Sequence, residues 1–269
     1  MVKFPRGIRK ALDLYREKIE AVAGGWVDWK NPLGCGAFGC VFQIWTQDPG
    51  YDQPGSQALL TDRVLKLSAD PTEGPVVSAI MKTKLDKQLQ GLARWYGVWR
   101  IPEKIQKGPR EHVWVILREE VKPFSTMAVS AFPKWFEYLR DYNKAAHKAL
   151  EVKRPQYKEK LWDDAYAALG QLGNFEETYF VVEAIEALGR QDIVIADVHH
   201  GNLGSRTHAT EDQYLQKVRW FDGQDRPPLL IFDPGHSSAP EGTTVQDLWE
   251  PASAANPWMG GEVREIETL

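Results

Sequence analysis

Hydrophobic and polar residues repeat with two different periods along the chain, and the helical period comes first. Five apolar residues lie three or four positions apart near the start of the chain, at Ile8, Leu12, Tyr15, Ile19 and Val22. This spacing predicts an amphipathic helix that packs one face on a core and ends at Gly24-Gly25. Residues 41–45 and 63–67 then carry the aliphatic and aromatic side chains typical of antiparallel strands.

The pattern beyond residue 70 changes from strand to helix. Residues 76–96 contain no proline, carry apolar residues at helical spacing and predict a helix, and residues 111–121 predict another strand. Two stretches rich in Ala, Leu, Lys and Glu, residues 133–150 and 156–189, predict long helices, with interruptions at Gly170, Gly173 and Gly189. A β-rich half thus precedes an α-rich half, and we expect an α+β protein divided into residues 1–121 and 122–269, because proline follows the last strand.

Composition narrows the class of protein. The 269 residues carry a formal net charge of −4, with 43% hydrophobic and 26% charged residues. These values are ordinary for a globular protein and argue against a disordered polyelectrolyte or generic nucleic-acid binding. No apolar run approaches the roughly 18 residues of a spanning helix, and the charged N-terminal segment does not match an export signal. We therefore expect a cytoplasmic protein without membrane association.

A glycine-rich motif lies between the first two predicted strands. Gly34, Gly36 and Gly39 form G-x-G-x-x-G, and the apolar Val41 follows. No helix begins there, which disfavours a dinucleotide-binding turn and favours a hairpin whose backbone approaches phosphate oxygens. The alternative is a glycine-rich hairpin that binds nothing.

A lysine interrupts the apolar strand that follows the glycine motif. Lys66 is flanked by Leu65 and Leu67, and a buried ammonium needs an anionic partner such as a phosphate. The alternative is an edge-strand lysine that faces solvent. Glu73 is the first candidate for a protein partner of Lys66 and Asp86 is the second, although Glu73 also fits a capping box.

Two later apolar strands end in aspartate. Asp197 follows the apolar residues 193–196 and precedes Asn202 in D-x-x-x-x-N, and Asp233 follows residues 229–232 and precedes Gly235. Strand ends of this kind present carboxylates to metals, but they also begin turns. Each motif alone is therefore ambiguous.

Taken together and in this order, the four motifs resemble the protein-kinase fold over about residues 26–240. The stretch from Asp197 to Asn202 and the short ending at Asp233 look like those of phage-encoded early serine/threonine kinases and of small-molecule kinases. The resemblance implies a bilobal α+β fold. Its N-lobe, residues 1–121, is β-rich with a glycine-rich hairpin, and its C-lobe, residues 122–269, is a shortened α-rich unit.

The resemblance also implies a role for each matched residue. Asp197 would accept or orient the substrate hydroxyl, and His199 would touch the γ-phosphate or the acceptor. Asn202 and Asp233 would hold Mg²⁺, and Lys66, paired with Glu73, would bind the ATP phosphates. The hairpin and backbone groups near the adenine would contact the rest of the ATP. The residues assigned to these contacts are Gly34, Gly36, Phe38, Gly39 and Val41 in the hairpin, and Glu119 and Val121 at the adenine.

Several features depart from the kinase pattern. Ile195 and Ala196 replace the usual His and Arg, so the arginine that would bind a phosphorylated activation loop is missing. Pro234 replaces the usual Phe. No A-P-E element follows. Residues 205–228 look like an insertion, and residues 217–221 and 229–232 flank an Asp222-Gly223 turn as a hairpin. This hairpin is either part of a substrate edge or a surface decoration.

The histidines and cysteines leave further alternatives. The histidines around the catalytic stretch, His208 and His236 among them, show no tight zinc spacing, and the carboxylates suit Mg²⁺ better. Cys35 and Cys40, the two cysteines, are too few for a disulfide scaffold and indicate a reducing compartment. We favour small residues in a strand pair over an oxidisable pair that locks or blocks the hairpin.

We expect an ATP- and Mg²⁺-dependent phosphotransferase, most simply a serine/threonine kinase acting on host proteins in the host cytoplasm. One alternative is a small-molecule kinase of the aminoglycoside or sugar phosphotransferase type. The other is a nucleotide-binding pseudokinase that acts by binding a host protein. The four polar residues Lys66, Asp197, Asn202 and Asp233 argue against the pseudokinase.

Overall fold

The computed structural model describes residues 4–46, 59–102, 105, 112–123, 134–205 and 229–248. Within them the protein is a mixed α+β structure with a seven-stranded sheet, a three-stranded sheet and six α-helices. The helices are α1 (Arg6–Ala23), α2 (Glu73–Thr83), α3 (Leu85–Gln88), α4 (Trp135–Glu151), α5 (Pro155–Leu172) and α6 (Tyr179–Gly189). The α+β class expected from the sequence is confirmed.

The large sheet is built mainly from four long strands. Its members are β1 (Trp26–Val27), β2 (Gly34–Cys35), β3 (Gly39–Thr46), β4 (Leu59–Ser68), β5 (Trp95–Arg100), β6 (Trp114–Glu119) and β10 (Gln246–Asp247). Their order is β1-β3-β4-β6-β5-β10, and β2 pairs with β3. All pairs are antiparallel except that of β10 with β5. The small sheet consists of β7 (Lys122–Pro123), β8 (Leu203–Ser205) and β9 (Leu230–Ile231), in that order.

Alternation along β4 and β6 gives the large sheet two different faces. Leu65 and Leu67 pack with Val115, Leu117 and the apolar stripe of α1, in a cluster that also contains Phe42 and Ile44. Because side chains alternate between faces, Val64, Lys66 and Ile116 lie on the other side. There Ile116 joins a second core cluster with α2, α4, α5 and α6. The predicted amphipathic role of α1 is confirmed.

The helix predicted for residues 76–96 is wrong beyond residue 83. Lys84 ends α2 in a left-handed conformation with φ 60°, and a single turn of helix follows as α3. Residues 95–100 form β5, whose apolar and aromatic residues, including the buried Trp95, fit a strand pairing with β6. The long predicted helix 156–189 divides into α5 and α6 around residues 173–178, whereas Gly170 lies inside α5.

The end of the described chain returns to the large sheet. Gln246 and Asp247 pair with Trp99 and Arg100, and Arg100 donates to Asp247 through Nε at 2.6 Å. Residues of the second predicted unit therefore complete the sheet of the first, and nothing in the local pattern signals this long-range pairing. Of the insertion predicted for 205–228, only Ser205, the end of β8, is described, and the first arm of the predicted hairpin, residues 217–221, lies outside the described residues. Its second arm contains β9, which pairs with β8. In the part of the chain that the structure describes, no helix is long and apolar enough to cross a membrane.

Candidate functional site

A cleft of about 980 Å³ lies between the large sheet and the small sheet. The β2–β3 hairpin covers one side, β4 and β6 form the wall, and the segments around Asp197 and Asp233 form the floor. The residues predicted from the sequence line it together, namely Gly34, Gly36, Phe38, Gly39, Val41, Lys66, Glu73, Val121, Asp197, His199, Asn202 and Asp233. Glu119 is the one predicted site residue that is not among the lining residues of this cleft.

The glycine hairpin combines close packing on one strand with open space at its tip. A Cβ on Gly39 would overlap the carbonyl of Leu67 on β4, so the approach of β3 to β4 requires glycine there. A Cβ on Gly34 or Gly36 would meet no described atom within 4 Å. The amide of Gly36 donates to the carbonyl of Gly39 at 2.9 Å and closes the turn. The hairpin backbone is thus accessible from the cleft.

A disulfide bond joins Cys35 to Cys40 across this turn. The two residues lie directly opposite each other in the β2–β3 pair, with their Cα atoms 4.1 Å apart. The strand-pair position expected for them is confirmed, but the favoured interpretation as unbridged small residues is wrong in this structure. The register of the hairpin brings the sulfur atoms into bonding range, and the sequence gives no direct signal of that register.

Lys66 is held between two carboxylates. Its Nζ lies 2.7 Å from Oε1 of Glu73 at the start of α2 and 2.5 Å from Oδ2 of Asp233, which follows β9. Glu73 is therefore the partner of Lys66. Asp86, the reserve candidate, instead accepts a hydrogen bond from the amide of Trp95 at 3.2 Å. The three side chains connect the large sheet, α2 and the segment after the small sheet.

Burial and charge act in opposite directions on this cluster. Burial alone would lower the pKa of Lys66, but the carboxylates of Asp233 and Glu73 raise it above its usual value. Burial raises the pKa of Glu73 to about 7, since its single ammonium partner is shared with Asp233. The ammonium of Lys66 and the guanidinium of Arg118 outweigh burial at Asp233 and lower its pKa. Asp233 is consequently the permanent anion of the cluster.

A further carboxylate, that of Asp197, lines the same cleft as this cluster. The carboxamide nitrogen of Asn202 donates to the backbone carbonyl of Asp197 at 2.6 Å and approaches its carboxylate at 3.4 Å. His199 accepts a hydrogen bond from the amide of Gly201 at Nδ1, 2.9 Å away, and its Nε2 lies 3.7 Å from the Asp197 carboxylate. Asn202 and His199 thereby flank an accessible Asp197 carboxylate.

Helix α4 fixes the backbone that carries Asp197. The side-chain amide of Asn143 pairs with both backbone groups of Val198, accepting from its N–H at 2.8 Å and donating to its carbonyl. The hydroxyl of Tyr142 donates to the carbonyl of Ile195 at 2.8 Å. The backbone is therefore anchored to α4 on both sides of Asp197, at Ile195 and at Val198.

The far end of the wall carries a buried arginine. Arg118 is only 4% exposed, lines the cleft, and lies with its Cζ 4.8 Å from the ring centre of Phe232. Its Nη1 donates to the carbonyl of Glu119 at 2.9 Å. The amide and carboxylate of Glu119 bond to the backbone of Arg94. These three groups of Glu119 already have protein partners, which explains why it does not line the cleft.

A second contact joins the hairpin tip to the floor. The ring of Phe38 packs edge-on against His236 with centroids 5.2 Å apart. The amide of His236 lies 3.4 Å from the carboxylate of the buried Asp70, which also accepts from the amide and hydroxyl of Thr72. The hairpin and the segment after Asp233 are therefore in direct contact.

Sequence reasoning missed Arg118 and Asn143. Arg118 follows the apolar residues Val115–Leu117 but precedes Glu119 and Glu120, so it reads as the polar end of a strand and lacks the two apolar neighbours that mark Lys66. Asn143 lies among polar residues of an amphipathic helix, and only the fold reveals its contact with Val198. In the described residues, no group of three or more His, Cys, Asp or Glu side chains forms a metal cluster.

Comparison with known proteins adds no assignment to this geometry. No protein-family model matches the chain, and no curated protein matches its sequence.

Proposed function

We propose that the protein is a phosphotransferase with a bilobal, protein-kinase-like arrangement, which transfers the γ-phosphoryl group of a nucleoside triphosphate to a hydroxyl. The supporting observation is the convergence of Lys66, Glu73, Asp233, Asp197 and Asn202 in one cleft with a glycine hairpin. These five side chains come from four separate parts of the sequence. Phosphoryl transfer depends mainly on alignment and charge neutralisation, which such a constellation provides.

The residues on the floor of the cleft fit Mg²⁺. Asn202 and Asp233 offer amide and carboxylate oxygens, and hard cations prefer oxygen ligands. Two protein ligands also suit Mg²⁺, which usually completes its coordination with phosphate oxygens and water. When bound, the ion would neutralise charge on the phosphate oxygens. The sequence-based expectation of Mg²⁺ rather than zinc is retained in this proposal.

Lys66 and the hairpin act on the nucleotide. The ammonium of Lys66 neutralises phosphate charge, and the amides of the hairpin approach the phosphate oxygens where glycine leaves space. In the structure the ammonium of Lys66 already forms ion pairs with both carboxylates, those of Glu73 and Asp233. A bound phosphate competes with Asp233 for Lys66, while Glu73, which is 2% exposed, keeps the lysine in place.

Asp197 acts on the acceptor. Its carboxylate accepts a hydrogen bond from the attacking hydroxyl and takes the proton as the oxygen bonds to the γ-phosphorus. The bond from that phosphorus to the bridging oxygen breaks, and the nucleoside diphosphate leaves with the electron pair. The contact of Asn202 with Asp197 holds the carboxylate in position. We assign the acceptor to serine or threonine side chains of host proteins, following the resemblance to phage kinases, and the site of action to the host cytoplasm.

Transfer of label from γ-labelled ATP and γ-labelled GTP, with Mg²⁺, tests this function. The wild type is incubated alone, with a bacterial lysate and with a panel of aminoglycosides and sugars, beside Asp197→Asn and Asp233→Ala. We expect labelled protein that both variants reduce by about 100-fold or more. Asp163→Asn on the exposed face of α5 is the matched control and should retain full transfer.

The other outcomes separate the alternatives. Label on a small molecule and none on protein would identify a small-molecule kinase. Nucleotide binding without transfer to any acceptor would identify a pseudokinase. Equal labelling by the wild type and Asp197→Asn would contradict the proposed role of Asp197.

A further inference from the structure

The sheet register places Arg118 on the same face as Lys66. Lys66 lies opposite Val41 and Ile116, and Arg118 lies opposite Val64. Residues directly opposite each other, and residues two apart on one strand, share a face of the sheet. Arg118 and Lys66 therefore both belong to the face that forms the cleft wall, as their shared contribution to the lining indicates.

Arg118 lies farther along this wall than the phosphate-binding end. Val64, its partner, is two residues from Lys66, which is about 7 Å along an extended strand. Apolar side chains surround this part of the cleft: Val41 and Val64 on the sheet, Val121 after it, and Phe232 on the floor. A nucleotide whose phosphates contact Lys66 directs its base into this apolar part.

The guanidinium of Arg118 lines this part of the cleft and is only partly satisfied by protein partners. Nη1 donates to the carbonyl of Glu119, and Nε has no hydrogen-bond partner among the described residues although it is buried. A guanidinium carries five N–H donors and no acceptor. An unpaired buried donor is costly, so a cationic donor set at the base end of a cleft indicates a ligand that supplies acceptors.

We propose that Arg118 determines which base the cleft accepts, and that it selects nucleotides whose base carries a carbonyl oxygen at C6 of a purine or C4 of a pyrimidine. This inference rests on the proposed function and narrows its nucleotide. Guanine and uracil present such an oxygen, whereas adenine and cytosine present an amino group at the corresponding position. An amino group facing Arg118 would place donor against donor, beside a carbonyl of Glu119 that already accepts a hydrogen bond. GTP or UTP then replaces the ATP expected from the sequence.

Charge balance is the competing explanation for Arg118. The side chain is close enough to Asp233 and Glu73 to interact with both carboxylates, and it offsets part of their charge. A residue with that role alone would affect stability and the affinity for all nucleotides equally. A base-selecting residue changes the ratio of affinities between carbonyl and amino bases, and this ratio is the diagnostic quantity.

The test is a titration of the full chain with the non-hydrolysable imidotriphosphates of guanosine, adenosine, uridine and cytidine, each with Mg²⁺. The four analogues include one carbonyl base and one amino base of each size. Guanine and adenine are the two purines, and uracil and cytosine are the two pyrimidines. We expect guanosine to bind about 10- to 100-fold more tightly than adenosine, and uridine more tightly than cytidine, as a charge-assisted hydrogen bond provides. The comparison within each size class also identifies whether a purine or a pyrimidine is the natural base.

Variants assign the preference to Arg118. Arg118→Met should bring the carbonyl-to-amino ratio to within about twofold, because it replaces the unbranched stem of the side chain with an apolar one and removes every donor. Arg118→Gln supplies a carbonyl acceptor and should shift the ratio towards adenosine. Arg94→Met, an exposed position outside the cleft lining, is the matched control and should leave the ratio at its wild-type value.

Each result decides the proposal. Tighter binding of the adenosine analogue by the wild type overturns it without any variant, and so does an unchanged ratio in a folded Arg118→Met. If Arg118→Met does not fold, Arg118→Gln and the wild-type ratio decide. Transfer of phosphate with no preference between bases would overturn the role of Arg118 and leave the proposed function intact. Absence of binding by all four analogues would overturn both.

Discussion

The ammonium of Lys66 lies 2.5 Å from the carboxylate of Asp233, although 167 positions separate the two residues in the chain. This contact joins the wall of the cleft to its floor. Glu73 contacts the same ammonium from α2, so two buried carboxylates share one lysine. The cluster is consequently sensitive to pH, to substitution and to any ligand that competes for Lys66.

Stability should fall as pH rises from about 4.5 to about 7, the window set by the raised pKa of Glu73. Burial beside Asp233 lets the folded state hold this proton more tightly than the unfolded state. The unfolded chain therefore loses its proton first as pH rises, and the free energy of unfolding decreases until the folded carboxyl also ionises. Glu73→Gln should remove this decrease, on the order of 1–3 kcal/mol. Urea unfolding of both proteins at several pH values within the window measures it.

Glu159→Gln provides the control for this measurement, since Glu159 lies on the exposed surface of α5. Its unfolding free energy should follow the wild-type pH dependence. If Glu73→Gln and the wild type show parallel curves across the window, Glu73 does not hold a proton in the folded state.

The sequence predicts the features that follow from local patterns, and it does not predict those that depend on contacts between distant residues. The stripe of Ile8 and Leu12 and the alternation around Lys66 identify α1 and β4, because these elements follow from periodicity alone. The pairing of β10 with β5 depends on residues that are far apart in sequence. The same reason explains the site: the motifs identify Lys66 and Asp233, but their contact and the pairing of Asn143 with Val198 exist only in the folded chain.

Asn143 is a positioning residue for the segment of Asp197. Asn143→Leu removes both hydrogen bonds to Val198, and we expect phosphoryl transfer to slow about 10- to 100-fold because a small displacement of Asp197 misaligns the acceptor. Nucleotide affinity should change by less than about threefold, since Asn143 does not line the cleft. Transfer rates at saturating nucleotide, together with a binding titration, measure the two effects separately.

The exposed neighbour Lys144 on the same helix gives the matched variant Lys144→Leu, which should leave transfer unchanged. A loss of nucleotide affinity as large as the loss of rate in Asn143→Leu would contradict the positioning role. It would indicate general disruption of the cleft.

The disulfide between Cys35 and Cys40 should be detectable by counting thiols. The chain has two cysteines, so alkylation under denaturing conditions should add no label before reduction and two labels after it. Reduction frees a closed loop with a sequence separation of 5, and chain entropy predicts a loss of about 2 kcal/mol in stability. The double variant Cys35→Ser/Cys40→Ser should be insensitive to reductant. Two labels on the unreduced protein, isolated without thiols, would show that the bond is absent.

Gly91 should tolerate no side chain, because its backbone packs directly against both α6 and β9. A Cβ on Gly91 would overlap the carbonyl of Phe180 in α6, and the carbonyl of Gly91 accepts a hydrogen bond from the amide of Ile231 at 2.9 Å. Gly91→Ala therefore has to move α6 or β9, and β9 leads directly to Asp233. We expect a loss of about 2–3 kcal/mol in urea unfolding. Gly170→Ala is the matched change inside α5, where a Cβ meets no described atom within 4 Å, and it should stabilise by about 0.5–1 kcal/mol. If Gly91→Ala stabilised the protein as Gly170→Ala does, the contact with Phe180 would carry no cost and the prediction would be wrong.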